Sequence, residues 1–200
     1  MKITPIFSTL WCEDKLSNID NEAFKKYIYE IKNQKGSNYS NRNGWQKPFN
    51  LNEPEIQKLK FEINERLQEL HDHIGLGKHV IQKVAEMWVN VSPKYSYNVN
   101  HSHPGSFFSG VYYINVPENS GNITIFNPDI LGKNKMARHE GFNVFDKITN
   151  NNMQNLLFSP SAGDLIIFNG HIEHNVSMNY SDEDRISIPF DTSIFPRNGI

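Results

Sequence analysis

The chain is poor in cysteine and alanine, has no long apolar run, and shows no excess of charge of either sign. Cys12 is the only cysteine among 200 residues, which excludes an intrachain disulfide framework and any metal site built from thiolates alone. No apolar stretch approaches the roughly 20 residues that span a bilayer, so no membrane association is expected. The opening MKITPIFSTLWCEDK lacks the apolar core of a signal peptide, and a cytoplasmic location is expected from that. Lys and Arg total 20 against 22 Asp and Glu, a formal net charge of -2. That balance carries no nucleic-acid signature. Only four alanines stand beside abundant asparagine, a compositional habit to which no function is assigned. What remains is an ordinary globular mix, 38% hydrophobic and 12% aromatic, long enough for one domain. Within it lie eight histidines, and these are the residues to follow.

The hydrophobic pattern divides the chain at residue 77. From Asn21 to Lys32, Phe24, Tyr27, Ile28 and Ile31 fall on one helical face. Residues 37–51, SNYSNRNGWQKPFNL, read as a surface loop. Asn52 is the expected cap of a second helix, with Pro54 in its first turn and a stripe of Ile56, Leu59, Ile63, Leu67, Leu70 and Ile74. Segment 1–77 is thus expected to be a mostly helical support. From Lys78 onward, short runs rich in Val, Ile, Tyr and Phe alternate with turn residues. Strands are expected near 79–91, 95–101, 107–116, 121–126, 155–158, 164–169, 171–177 and 185–192. About eight strands without helical interruption predict a mainly β fold of α+β class, a jelly roll over 78–200 rather than a parallel sheet. The polar stretch 128–154 is too long for a plain turn and reads as a flap or insert.

In YSYNVNHSHP, extended backbone puts Tyr97, Val99, His101 and His103 on one face, with two imidazoles emerging where Pro104 stops the ladder. In GDLIIFNGHIEHNV a second strand carries Ile172, His174 and Val176 on one face. Two readings are open: hydrogen-bonded core histidines, or metal ligands. Imidazole suits Fe, Zn, Cu and Ni, so residue type does not choose the metal. His71 and His73 at a helix end are expected to be solvated, His79 and His139 have no partner in sequence, and His171 points away from His174. Arg185 and Ser187 share a face of RISIPF. They are either an exposed arginine paired with Asp182 or Asp184 beside a neutral neighbour, or a carboxylate clamp to which Tyr113 adds a phenol.

The segments HSHPGSFFSGVYYINVPENSGNITIFNP, GDLIIFNGHIEHNV and DEDRISIPFD together resemble the Fe(II)/2-oxoglutarate oxygenases with a double-stranded β-helix core. PIFSTLW and SNRNGWQ resemble that group's opening segments, so the likeness runs along nearly the whole chain. The resemblance implies a dioxygenase that couples oxidative decarboxylation of 2-oxoglutarate to hydroxylation of a second substrate. Fe(II) would be held by His101, His103 and His174, and 2-oxoglutarate by Arg185, Ser187 and Tyr113. One departure stands out. The wider group uses two histidines and a carboxylate, and here His103 occupies the carboxylate's position. Three neutral imidazoles would leave the metal its full charge; in the alternative, Asp129 of FNPDI would be the ligand. The partners implied are 2-oxoglutarate, O2 and a further substrate, with a protein or peptide preferred over a small molecule; a homodimer is compatible. Two other readings use the same residues: a cupin-like metal protein without 2-oxoglutarate, and a non-catalytic jelly-roll module.

Overall fold

In the computed structural model, residues 1–2, 8–37, 39–129 and 145–197 are described, together with the backbone pairing of 138–139 with 142–143. Two antiparallel sheets face each other. In chain order the elements are β1 (Trp11–Lys15), α1 (Asn21–Ile31), β2 (Asn41–Arg42), β3 (Trp45–Pro48), α2 (Pro54–His73), β4 (Val80–Ser92), β5 (Tyr97–His101), β6 (Phe108–Asn115) and β7 (Ile123–Phe126). They continue with the ribbon β8 (Arg138–His139) and β9 (Phe142–Asn143), then β10 (Asn155–Phe158), β11 (Asp164–Asn169), β12 (His174–Val176) and β13 (Arg185–Pro196).

The larger sheet runs β1-β11-β6-β13-β4-β3 and the smaller one β10-β7-β12-β5-β2. The strands from β4 onward alternate between the sheets except that β7 and β10 pair within one, giving β4, β6, β11 and β13 in the larger sheet and β5, β7, β10 and β12 in the smaller. That is the jelly-roll winding expected from the sequence, and the eight expected strands are all present. Of the polar stretch 128–154, residues 130–144 lie outside the described residues apart from the β8–β9 pairing, and the side chain of His139 falls among them.

Period-two alternation gives each long strand of the larger sheet one apolar face toward the helices and one face toward the smaller sheet. Tyr112 and Ile114, Leu165 and Ile167, Ile186, Ile188 and Phe190, and Met87, Val89 and Val91 pack under the helices. Phe24 and Ile28 of α1 and Ile56, Leu59, Ile63 and Leu67 of α2 complete that core. The opposite face turns toward the smaller sheet, where Val111, Tyr113, Ile166 and Phe168 meet Ile123, Ile125 and Ile172. The site lies on this second face, between the sheets.

Several local expectations change. Residues 37–51 are not a plain loop: β2 joins the smaller sheet beside β5 and β3 joins the larger one beside β4, so this segment links both sheets. β1 adds a further edge strand along β11. Among the described residues, segment 1–77 therefore carries three strands besides its two helices. The cap of α2 is Glu53 without a side-chain bond, not Asn52. Pro54 in the first turn has no N–H to satisfy, which lowers the need for a capping side chain. His71 is buried, at 3% exposure, instead of solvated. It follows Leu67 by four residues and so continues the inward stripe.

Candidate metal and cosubstrate site

His174 on β12 sits directly opposite His101 on β5. Between that pair and Val176↔Asn98 the register shifts, three residues of β5 facing two of β12. This bulge breaks the strict alternation expected from Tyr97 to His103. Asn98 and His101 both line the space between the sheets, while Asn100 and Asn175 bond to each other on the outer side, 2.8 Å apart. A bulge beside a site re-aims a side chain in this manner. His103 lies beyond the end of β5 and is tied back by its amide, which donates to the carbonyl of Gly170 at 2.8 Å.

The three imidazoles meet: ring centroids are 4.3 Å apart for His101–His174, 5.1 Å for His103–His174 and 5.2 Å for His101–His103. One ligand atom from each can be chosen so that all lie within 4.8 Å of one another. The second nitrogens decide the tautomers. His101 Nδ1 lies 2.7 Å from the carbonyl of Val99 and His174 Nδ1 lies 3.0 Å from that of Ile172. A carbonyl only accepts, so each Nδ1 carries the proton and each Nε2 keeps its lone pair. His103 Nδ1 faces the Asp191 carboxylate at 2.9 Å, with the same consequence. Burial pushes His174 down to about 3 and lowers His101 below the ordinary histidine value, so both are neutral at physiological pH. Three convergent imidazole lone pairs suit a divalent first-row metal such as iron. The residues present fit the group.

Deeper along the same face, β13 presents Arg185, Ser187 and Pro189 at alternate positions, beside Val111 and Tyr113 of β6. Arg185 is 2% exposed and donates through Nη1 to the carbonyl of Ser120 at 2.5 Å and of Ser177 at 3.4 Å. It is not the exposed partner of an acid: Asp182 pairs with Lys94 and Asp184 with Lys32. Burial lowers the guanidinium only to about 10, so it stays cationic, and burial pushes the Tyr113 phenol well above its usual value. The hydroxyls of Tyr113 and Ser187 make no side-chain hydrogen bond among the described residues and line the cavity with the three histidines. No acid is among the residues that line it, so one buried cation faces the space. The arrangement is suited to an anion.

Asp129 is exposed in the turn after β7 and lies outside both the histidine cluster and the cavity lining. His171 is exposed in the turn before β12. Sequence reasoning missed Asp191, Trp88 and Asn90. Asp191 was within reach of the pattern, since Arg185, Ser187, Pro189 and Asp191 alternate along one strand. Trp88 and Asn90 sit on β4, and only the pairing of β4 with β13 brings them to the site.

A jelly roll with three histidines and a buried arginine between its sheets defines a double-stranded β-helix oxygenase framework. The family model described as "Putative 2OG-Fe(II) oxygenase" matches residues 86–191, more than half of the chain, and the chain belongs to that family. Ferrous iron and 2-oxoglutarate are accordingly its cofactor and cosubstrate, and its chemistry is that of an oxidoreductase. No curated protein matches the sequence. Among solved structures, a Pseudomonas putida prolyl-4-hydroxylase is similar with a TM-score of 0.62 at 14% identity, over 94% of this chain and 93% of that one. A viral collagen prolyl hydroxylase from Paramecium Bursaria Chlorella virus-1, in its 2OG complex, gives 0.56 at 13% identity, over 91% and 94%. The epimerase SnoN, in complex with Fe3+, alpha ketoglutarate and nogalamycin RO, gives 0.64 at 13% identity, over 95% and 82%. At these identities the likeness is one of fold. Among the described residues, no helix is long and apolar enough to cross a membrane.

Proposed function

We propose that this chain is a 2-oxoglutarate-dependent dioxygenase that hydroxylates a second substrate, with a protein or peptide favoured. The reading is carried by one observation: three imidazole lone pairs and a buried, cationic Arg185 face the same cavity between the sheets. His101, His103 and His174 are assigned as the metal ligands through Nε2. When bound, ferrous iron supplies the redox chemistry by which O2 oxidises 2-oxoglutarate to succinate and CO2 and a C–H bond of the substrate to an alcohol.

The chain's own residues supply binding and orientation. Arg185 offers the remaining donors of its guanidinium to the far carboxylate of 2-oxoglutarate, and Tyr113 and Ser187 add hydroxyl donors from neighbouring strands. This carboxylate is thereby held away from the imidazoles, and the keto acid end points toward them. Phe168, Ile123, Val111 and Val176 line the space between and keep it dry. With three uncharged ligands the metal keeps its full double charge, which favours the dianionic cosubstrate. The preference for a protein or peptide substrate draws on the two prolyl hydroxylases of similar fold; SnoN shows that the same framework accepts a small molecule.

The test is an anaerobic calorimetric titration of the Fe(II)-loaded protein with 2-oxoglutarate, followed by measurement of O2-dependent succinate release. Saturable binding that needs the metal is expected. Absence of binding to metal-loaded protein overturns the reading, and metal binding without 2-oxoglutarate binding supports the cupin-like alternative.

A further inference from the structure

The carboxylate missing from the first pair of ligands is found one hydrogen bond away. Asp191 follows Arg185 and Ser187 on the inward face of β13. It lies directly opposite Ser109 on β6. Its Oδ1 is 2.9 Å and its Oδ2 3.0 Å from His103 Nδ1, and Oδ1 also accepts from Ser109 Oγ at 2.6 Å. Ser109 is 1% exposed, so the acid is held from behind by a buried hydroxyl. The His103 ring is fixed on its faces as well: Trp88 stacks on it at 5.6 Å and 19°, and His174 at 5.1 Å and 14°.

The three imidazoles are not equivalent. His101 and His174 each give Nδ1–H to a neutral carbonyl two residues earlier in the chain. His103 alone gives it to a carboxylate, 88 residues away in sequence. A carboxylate on the outer nitrogen raises the basicity of the inner one and fixes ring and tautomer. The side chains that line the cavity itself include no acid, so Asp191 stands behind His103 rather than in the cavity wall.

We propose that Asp191 is a positioning residue of the metal centre, acting through His103 and returning to the site, one bond removed, the carboxylate that a direct ligand would have supplied. This rests on His103 being a ligand. Asp191 orients Nε2 of His103 toward the other two imidazoles and makes His103 the strongest donor of the three. Ser109 is the hydroxyl that keeps Asp191 in place.

The experiment is an anaerobic titration of native protein and the variants Asp191→Asn and Asp191→Ala with Mn(II) and Fe(II), with the Fe(III)/Fe(II) potential measured alongside. Asp191→Asn keeps an acceptor for Nδ1–H and removes the carboxylate, so metal affinity is expected to fall by about 10- to 100-fold and the potential to rise. Asp191→Ala removes the acceptor too and is expected to bind more weakly still. A purely structural Asp191 would leave both readings unchanged in a folded Asp191→Asn protein, and that result overturns the proposal. Should the variants not fold, the native protein still decides. Nitrogen-15 NMR of the Zn(II)-loaded chain is expected to show His103 protonated at Nδ1 and metal-bound at Nε2, and the reverse overturns the proposal. A native chain that takes up no metal, or a His103→Ala variant that binds as tightly as native, fails the ligand assignment itself. Native binding with an unaltered Asp191→Asn variant fails only the role of Asp191.

Discussion

His174 lies across the sheet from His101, their rings 4.3 Å apart and tilted by 50°, although 73 positions separate them in the chain. The pair exists because β12 returns antiparallel to β5 and a bulge turns His101 inward. The rest of the site is assembled on that cross-strand contact: His103 from the end of the same strand, Arg185 and Asp191 from the facing sheet.

Arg185 is the residue proposed to bind the far carboxylate of 2-oxoglutarate. Hydrogen bonds to a charged group are worth about 1.5–3 kcal/mol each, so Arg185→Ala is expected to weaken 2-oxoglutarate binding by at least about 10- to 100-fold. Metal affinity should change little. Calorimetry on the metal-loaded variant reads the first effect and a Mn(II) titration the second. Arg185→Lys is not expected to rescue fully, because a point ammonium cannot reach Ser120 and the ligand with two parallel donors.

Gly121 acts on the same arginine from outside the cavity. Its φ is +92°, and a Cβ there would lie 2.5 Å from the carbonyl of Ser177 and 3.0 Å from Arg185 Nη1. Gly121→Ala is therefore expected to displace the loop that holds the guanidinium, because a side chain at that φ is itself strained. The measurable outcome is weaker 2-oxoglutarate binding, with metal binding retained, from a residue that does not line the cavity.

Gly110 tests the packing beneath the site. A Cβ at this position would meet Phe190 Cζ at 2.3 Å and the carbonyl of Ile166 at 2.4 Å. Overpacking of this kind costs about 1–3 kcal/mol. In a chain of this size each kcal/mol shifts Tm by about 2–4 °C. Gly110→Ala should therefore melt several degrees lower, as read by calorimetry or circular dichroism on the metal-free protein.

Tyr112 reports on the docking of α1. It is fully buried, and its hydroxyl donates to Asn21 Oδ1 at 2.7 Å. Burial holds its phenol up at about 12, against an ordinary value of 10.0. Between these values the unfolded chain has lost the proton and the folded one keeps it. The stabilisation is therefore complete below pH 10 and is lost as pH rises through about 12. Denaturant melts of the native chain should decline more steeply across this window than those of Tyr112→Phe, and an absorbance titration should show one late-ionising tyrosine fewer in the variant than in the native chain.

The β strands were legible because their signal is local. Alternation and turn residues are properties of eight or ten consecutive positions, and the expected ranges 155–158 and 164–169 coincide with β10 and β11. Strands β2 and β3 were not legible, because two- and four-residue strands have too few positions to show a period. They are strands only by pairing with β5 and β4. His71 was misjudged because its polarity outweighed its place on the stripe of α2.

By itself, the sequence determined the fold class and the two helical faces, since periodicity and turn residues are local, and it named His101, His103, His174, Arg185, Ser187 and Tyr113 as candidates whose roles the family resemblance implied. Tertiary structure decided the rest. The bulge in β5 arises only in partnership with β12. The burial of Arg185 against Ser120 and Ser177 joins loops 65 and 8 residues distant. The placement of Asp191 behind His103 depends on two sheets closing face to face. Apart from the short step from Arg185 to Ser177, each is a contact between segments far apart in the chain, and no local pattern encodes such a contact.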